Sequence, residues 1–249
     1  MNNIKAIFIK QLTSQLKVPS IIIQGIMFLV IAGAMMFFMT PDEEHDCDYC
    51  VPAYVCAPCE YEESNRFQIR VLSGLGIFTV IFIGLALVGS SSALVAEDKS
   101  TTNLRFMAMA DVRPYQYLIA TVGAIIIVVA GMLIFYGLFG GYLRSNPLEF
   151  MAVGIAGGLV SIMLGIVIGL SKYPVLGMPV SIILGLGPTI GNFNEAFANA
   201  TRFTFIQQVN LALYDLNAVT ATNFLIIGAN AAVILAVFAL MHRRNRFNV

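Results

Sequence analysis

All four cysteines of the 249-residue chain lie in one stretch, CDYCVPAYVCAPC, as Cys47-x-x-Cys50 and Cys56-x-x-Cys59. Thiol pairs at this spacing can form structural disulfides, hold zinc in a tetrahedral thiolate site, or exchange electrons through a reactive thiolate. Asp42, Glu43, Glu44, Asp46 and Asp48 precede and interleave the first pair, and Glu60, Glu62 and Glu63 follow the second. Such negative charge raises thiol pKa values and opposes free thiolates, while it collects cations. Met35, Met36 and Met39 lie just upstream; thioethers suit Cu(I), although methionines in an apolar helix ordinarily pack as hydrophobes. On an oxidising face, disulfides within the loop are expected, with three pairings available; a zinc or other metal site is the alternative.

A second candidate is AEDKSTTNLRFMAMADVRPYQY, residues 96–117. Ser100 is expected to cap a short helix in which Leu104, Met107, Ala108 and Val112 recur at helical spacing, and Pro114 pushes Arg113 out of the helical region. Leu104, Phe106, Met107 and Met109, rimmed by Arg105, Asp111 and Arg113, have the composition of a docking knob, or of a patch lying on a membrane surface. A third is residues 192–217, too polar to span a membrane, with Phe193, Phe197, Phe203 and Phe205 as interfacial anchors. Glu195 and Arg202 share one side of that segment if it is helical. Enzyme signatures are missing from the sequence: no lysine follows a glycine, so there is no phosphate-binding loop, and neither H-E-x-x-H nor G-x-S-x-G occurs. His45 and His242 sit in separate loops and read as solvated charges.

What positions these residues is a membrane domain. The chain is 58% hydrophobic and 11% charged, with a mean hydropathy of +0.83, too little polar surface to clothe a water-soluble globule. Apolar runs at 18–39, 71–95, 117–139, 150–170, 175–190 and 223–241 predict six helical spans in one all-α domain covering 1–249. An even number of spans sorts the loops into two sets. Residues 1–17, 96–116, 171–174 and 242–249 hold Lys5, Lys10, Lys17, Lys99, Arg105, Arg113, Lys172, Arg243, Arg244 and Arg246; residues 40–70, 140–149 and 191–222 hold Arg66, Arg70, Arg144 and Arg202. That excess places both termini in the cytoplasm and the cysteines outside. The formal net charge of zero carries no nucleic-acid signature, and the near absence of ionisable residues within the runs argues against a proton relay or an ion-coupled carrier.

Residues 1–17 place Ile4, Phe8, Leu12 and Leu16 four apart with Ile7 beside them, an amphipathic helix for the inner leaflet. Read instead as a signal peptide, this region would need a small-residue cleavage site after Phe38, and MTPDEE is a poor one. Gly154/Gly158, Gly165/Gly169 and Gly187/Gly191 permit close helix approach, or reflect the abundance of glycine in membrane helices. The fifth run, broken by Pro174, Pro179 and Pro188, is expected to be kinked and buried in protein.

The runs Glu97-Asp98-Lys99, Thr101-Thr102-Asn103-Leu104-Arg105 and Asp111-Val112-Arg113-Pro114-Tyr115-Gln116-Tyr117-Leu118 resemble the segment after the second helix of ABC-2 type transporter permeases. The amphipathic N-terminal helix, six spans, broken fifth span and external helices are also similar to that family, so the likeness covers the whole chain. Thr101 stands where the family's glycine falls, and the third span lacks a lysine often found at its start. The resemblance implies a permease subunit in the plasma membrane of a prokaryote, paired with a second copy or a sister permease among membrane lipid. It would be driven by separate cytoplasmic ABC ATPase subunits that bind ATP and Mg. It implies a coupling helix contacting the ATPase through Glu97, Leu104, Arg105, Met107, Ala108, Asp111 and Arg113, export of a lipid, drug or hydrophobic peptide, and no catalytic residue or cofactor of the chain's own. Phe193, Phe197 and Phe203 would then gate the outer end of a path between two permeases. The rival reading is a membrane thiol oxidoreductase or metal-handling protein using the cysteine pairs; it leaves residues 96–117 without a role.

Overall fold

The computed structural model describes residues 2–17, 20–39, 75–101, 114–191 and 199–245. Among them the chain is helical: α1 (Asn2–Lys17), α2 (Ser20–Met39), α3 (Leu75–Ser100), α4 (Pro114–Phe139), α5 (Tyr142–Ser145), α6 (Pro147–Leu170), α7 (Gly177–Gly191), α8 (Phe205–Tyr214) and α9 (Ala221–Asn245). Four helices are long and apolar enough to cross a membrane, at Leu75–Ser100, Tyr115–Phe139, Pro147–Leu170 and Ala221–Met241, with shorter apolar stretches at Ser20–Ala34 and Pro174–Pro188. Prolines begin α4 and α6, where the missing N–H costs no helical bond.

The centre of the bundle is the crossing of α3 and α6. Without a hydrophobic driving force in lipid, such a crossing is held by close van der Waals packing, which small residues permit. A Cβ on Gly165 would collide with Ser91 Oγ and lie 2.7 Å from the Val88 carbonyl oxygen, and one on Gly169 would lie 2.7 Å from the Ser92 carbonyl oxygen. Gly154 and Gly158 meet Leu133 and Val129 of α4 in the same way. Both glycine pairs on α6 therefore serve close approach. α2 is tied in by polar bonds: the Tyr136 hydroxyl donates to the Gly25 carbonyl at 2.9 Å, and the Ser90 hydroxyl to the Gln24 side-chain oxygen at 3.0 Å. α4 turns into α5 at Gly141, whose φ of 72° is the left-handed conformation glycine adopts without a Cβ clash. The Tyr142 ring stacks on Phe150, and its burial pushes the phenol pKa up from the ordinary value.

Three expectations need correction. Ser100 is not a helix N-cap: α3 runs on through it, and its hydroxyl donates back to the Glu97 carbonyl at 2.9 Å, as in a final turn. The fifth apolar run is only half buried: Ser181, Gly185 and Gly187 face the protein, whereas Val175, Met178 and Ile183 are exposed. Its prolines sit where they leave the helix unbroken, Pro174 in a leading 3₁₀ turn and Pro188 near the C-terminus of α7. Residues 192–217 are not simply an external segment, because α8 within them is buried among α6, α7 and α9. A Cβ on Gly157 would stand 2.6 Å from Val209, and Gly157 lies about 15 Å along α6 from its start at 1.5 Å per residue. α8 itself is about 15 Å long, half of what spanning requires, so it enters the bundle and leaves on the side it came from.

Candidate functional site: a buried carboxylate beneath the basic loop

The last turn of α3 carries Glu97-Asp98-Lys99, at the end of the bundle where the lysine- and arginine-rich loops gather. Each of the three makes a different tie. Asp98 is 7% exposed and both its oxygens are engaged: Oδ1 accepts from Lys10 Nζ at 3.2 Å, and Oδ2 accepts from Gln11 Nε2 at 2.7 Å and from the Tyr117 hydroxyl at 3.0 Å. A buried carboxylate needs such partners, since an unpaired one would cost several kcal/mol in lost hydration. Lys10 keeps its own side chain 48% exposed, so water shares its charge and the ion pair is the weaker part of the cluster. Lys99 Nζ donates to the Ser171 carbonyl at 3.0 Å, fastening α3 to the turn before α7. The Glu97 carbonyl accepts from the Thr101 backbone N–H at 2.9 Å, the Thr101 hydroxyl at 2.8 Å and the Ser100 hydroxyl, closing the helix.

α1 brings Gln11 and Lys10 to Asp98 because it packs along α4, not only against a lipid leaflet. Ile7 and Gln11 are buried, Ile4, Phe8 and Leu12 half-buried, and the Phe8 ring would stand 3.5 Å from a Cβ on Gly123. α1, α3 and α4 thus converge on one carboxylate, and the chain between Asp98 and Tyr117 leaves and returns through that junction.

A second polar cluster holds α8 in place. Asn230, well inside α9, donates from Nδ2 to the Phe203 carbonyl at 2.9 Å and to its own helix at Ile226 O. Asn223 Nδ2 donates to Gln208 Oε1 at 2.9 Å, and Gln208 Nε2 donates to the Arg202 carbonyl. The Thr204 hydroxyl caps α8 by accepting from the Gln207 N–H. Backbone carbonyls freed before α8 are therefore satisfied by side chains of the last helix, as burial away from water requires.

Of the residues singled out from sequence, Glu97 lies exposed at the end of α3 and contributes through its carbonyl, and Phe203 is 73% exposed. Leu104, Arg105, Met107, Ala108, Asp111, Arg113, Cys47, Cys50, Cys56, Cys59, Phe193 and Phe197 lie outside the described residues. Among the described residues, no group of His, Cys, Asp or Glu is placed to hold a metal ion. Sequence reasoning passed over Lys10, Gln11, Asp98, Tyr117, Gln208 and Asn230. Two signals pointed to them: a carboxylate where an apolar helix ends, and Gln11 on the apolar side of α1. No family model, no curated protein and no solved structure matches this chain.

Proposed function

We propose that this chain is an ABC-2 type permease subunit of an ATP-driven transporter, exporting an apolar or amphipathic substrate while a separate cytoplasmic subunit hydrolyses ATP. In this reading α2 and α7 also cross the membrane, giving six spans with both termini in the cytoplasm, and two permeases pair. The observation that carries the proposal is the Asp98 junction. A loop that receives force from a partner needs a rigid base, and the Tyr117–Asp98 bond joins the helices on either side of residues 102–113 while Gln11 and Lys10 add α1 to the same base. A push on the loop would then be shared by α1, α3 and α4 instead of bending one helix end. ATP binding by the partner would favour one arrangement of the bundle through its differential contact with this loop. The α8 segment, latched to α9, would cap the outer end of the path, with Phe193, Phe197 and Phe203 at the exit.

The test is co-purification from the native membrane. A permease brings down a nucleotide-binding ATPase, and replacing Arg105 and Met107 with Asp abolishes stimulation of that ATPase while leaving insertion and pairing intact, because a docking knob cannot bury unpaired charge. Unchanged stimulation and binding in the double variant would refute the assignment of this loop.

A further inference from the structure

α3 and α7 run antiparallel and touch through a ladder of small residues. A Cβ on Gly84 would lie 2.8 Å from the Gly185 backbone, a Cβ on Gly89 would lie 3.8 Å from Ser181 Cβ, and a Cβ on Gly177 would lie 2.8 Å from Ser92 Cβ. Two irregular stretches of backbone meet at the Gly84 rung. Phe82–Ala86 form a π turn, a rare geometry found where helices bend or act as hinges. Opposite it, Pro188 has no N–H to offer the Leu184 carbonyl, whose carbon is 2.8 Å from the same Gly84 position.

We infer that α7 is a sliding element that moves along α3 by one helical turn toward the basic end of the bundle, about 5.4 Å. Interlocked large side chains resist shear, whereas a ladder of Gly and Ser offers no knobs to lift over. The spacing makes a second seat available. Displacing α7 in that direction brings Ser181 opposite Ser92 and Gly185 opposite Gly89, small against small again. Displacement the other way brings the bulky Tyr173 to Ser92, so the present register is one end of the travel. The opposite face of α7 does not oppose the motion within the chain, since Val175, Met178, Ile183 and Ile190 are 82%, 74%, 66% and 53% exposed. At the basic end, a single exposed hydrogen bond from Lys99 to Ser171 holds the turn before α7, a tie worth about 1 kcal/mol. The inference rests on helix packing and needs no ATPase partner, so it stands or falls apart from the proposed function.

Paired cysteines decide it, introduced with the native cysteines kept and each link identified by peptide mapping after mild oxidation in membranes of the source cells. Gly89→Cys with Ser181→Cys reports the present register, its Cβ separation suiting a disulfide. Ser92→Cys with Ser181→Cys reports the shifted seat, and Leu85→Cys with Ser181→Cys the forbidden direction. The expected result is that the first two pairs link and the third links at least about tenfold more slowly, since disulfide geometry is narrow. Failure of the 92/181 pair, equal linking of the 85/181 pair, or failure of the 89/181 pair would each overturn the sliding register.

Discussion

The Tyr117 hydroxyl donates to the Asp98 carboxylate at 3.0 Å, joining the last turn of α3 to the start of α4 across the intervening loop. The same oxygen accepts from Gln11, and the other from Lys10. The three donors differ in burial, and so in what their loss costs.

Asp98→Ala strands the Gln11 amide and the Tyr117 hydroxyl without an acceptor and is expected to destabilise the protein by about 2–4 kcal/mol. Tyr117→Phe removes one bond to a charged group and costs about 1–2 kcal/mol. Lys10→Ala, whose ammonium is already half in water, costs less than about 1 kcal/mol. Thermal unfolding of the detergent-solubilised protein ranks the three. A Lys10 variant as damaged as the Asp98 variant would show that the ion pair, not the buried hydrogen bonds, holds the junction.

Asn230→Leu keeps an apolar side chain on α9 but leaves the Phe203 carbonyl without its donor. Losing about 1 kcal/mol should speed amide exchange across residues 199–214 by roughly fivefold, with exchange in α6 unchanged. Uniform exchange in variant and parent would mean that Asn230 does not latch the segment.

The α3–α6 crossing predicts a contrast between two glycines. Gly165→Ala forces a methyl into Ser91 and the Val88 carbonyl and should cost about 1–3 kcal/mol or more, as overpacking does. Gly33→Ala in α2 meets nothing within 4 Å and should be neutral or stabilising by up to about 1 kcal/mol through helix propensity. Comparable melting shifts in the two variants would contradict the packing described.

The cysteines report topology. In unreduced, metal-stripped protein no cysteine is expected to alkylate, because Cys47, Cys50, Cys56 and Cys59 face an oxidising space and pair. Alkylation of all four would instead make a metal their only tie. After reduction, an impermeant thiol reagent should label them only from the outer side of sealed vesicles; labelling from the cytoplasmic side would reverse the assigned orientation.

The helical, membrane-type character of the chain was legible in sequence because transfer free energy accumulates along a run of residues, each contributing whatever its distant neighbours are. The four long apolar helices announce themselves in this way, as does the amphipathic stripe Ile4–Phe8–Leu12. The proline at the start of α4 likewise set that helix boundary locally. Other features depend on which surfaces meet. Asp98 reads as a solvated charge at a helix end until α1 and α4 enclose it, and Gln11 reads as an interruption of an apolar face until the carboxylate appears opposite. Asn230 looks like a polar blemish in the last apolar helix until the backbone before α8 is folded against it. The glycines of α6 could have faced lipid or a neighbour, because rotation about the helix axis changes their surroundings without changing their spacing. Burial of the fifth apolar run was expected from its prolines, yet one face stayed open, since prolines near the ends of a helix leave few backbone groups needing partners. Local chemistry thus determined the elements, and tertiary contact alone decided which polar groups became ties, because a hydrogen bond in a low-dielectric interior requires two residues that the sequence places far apart.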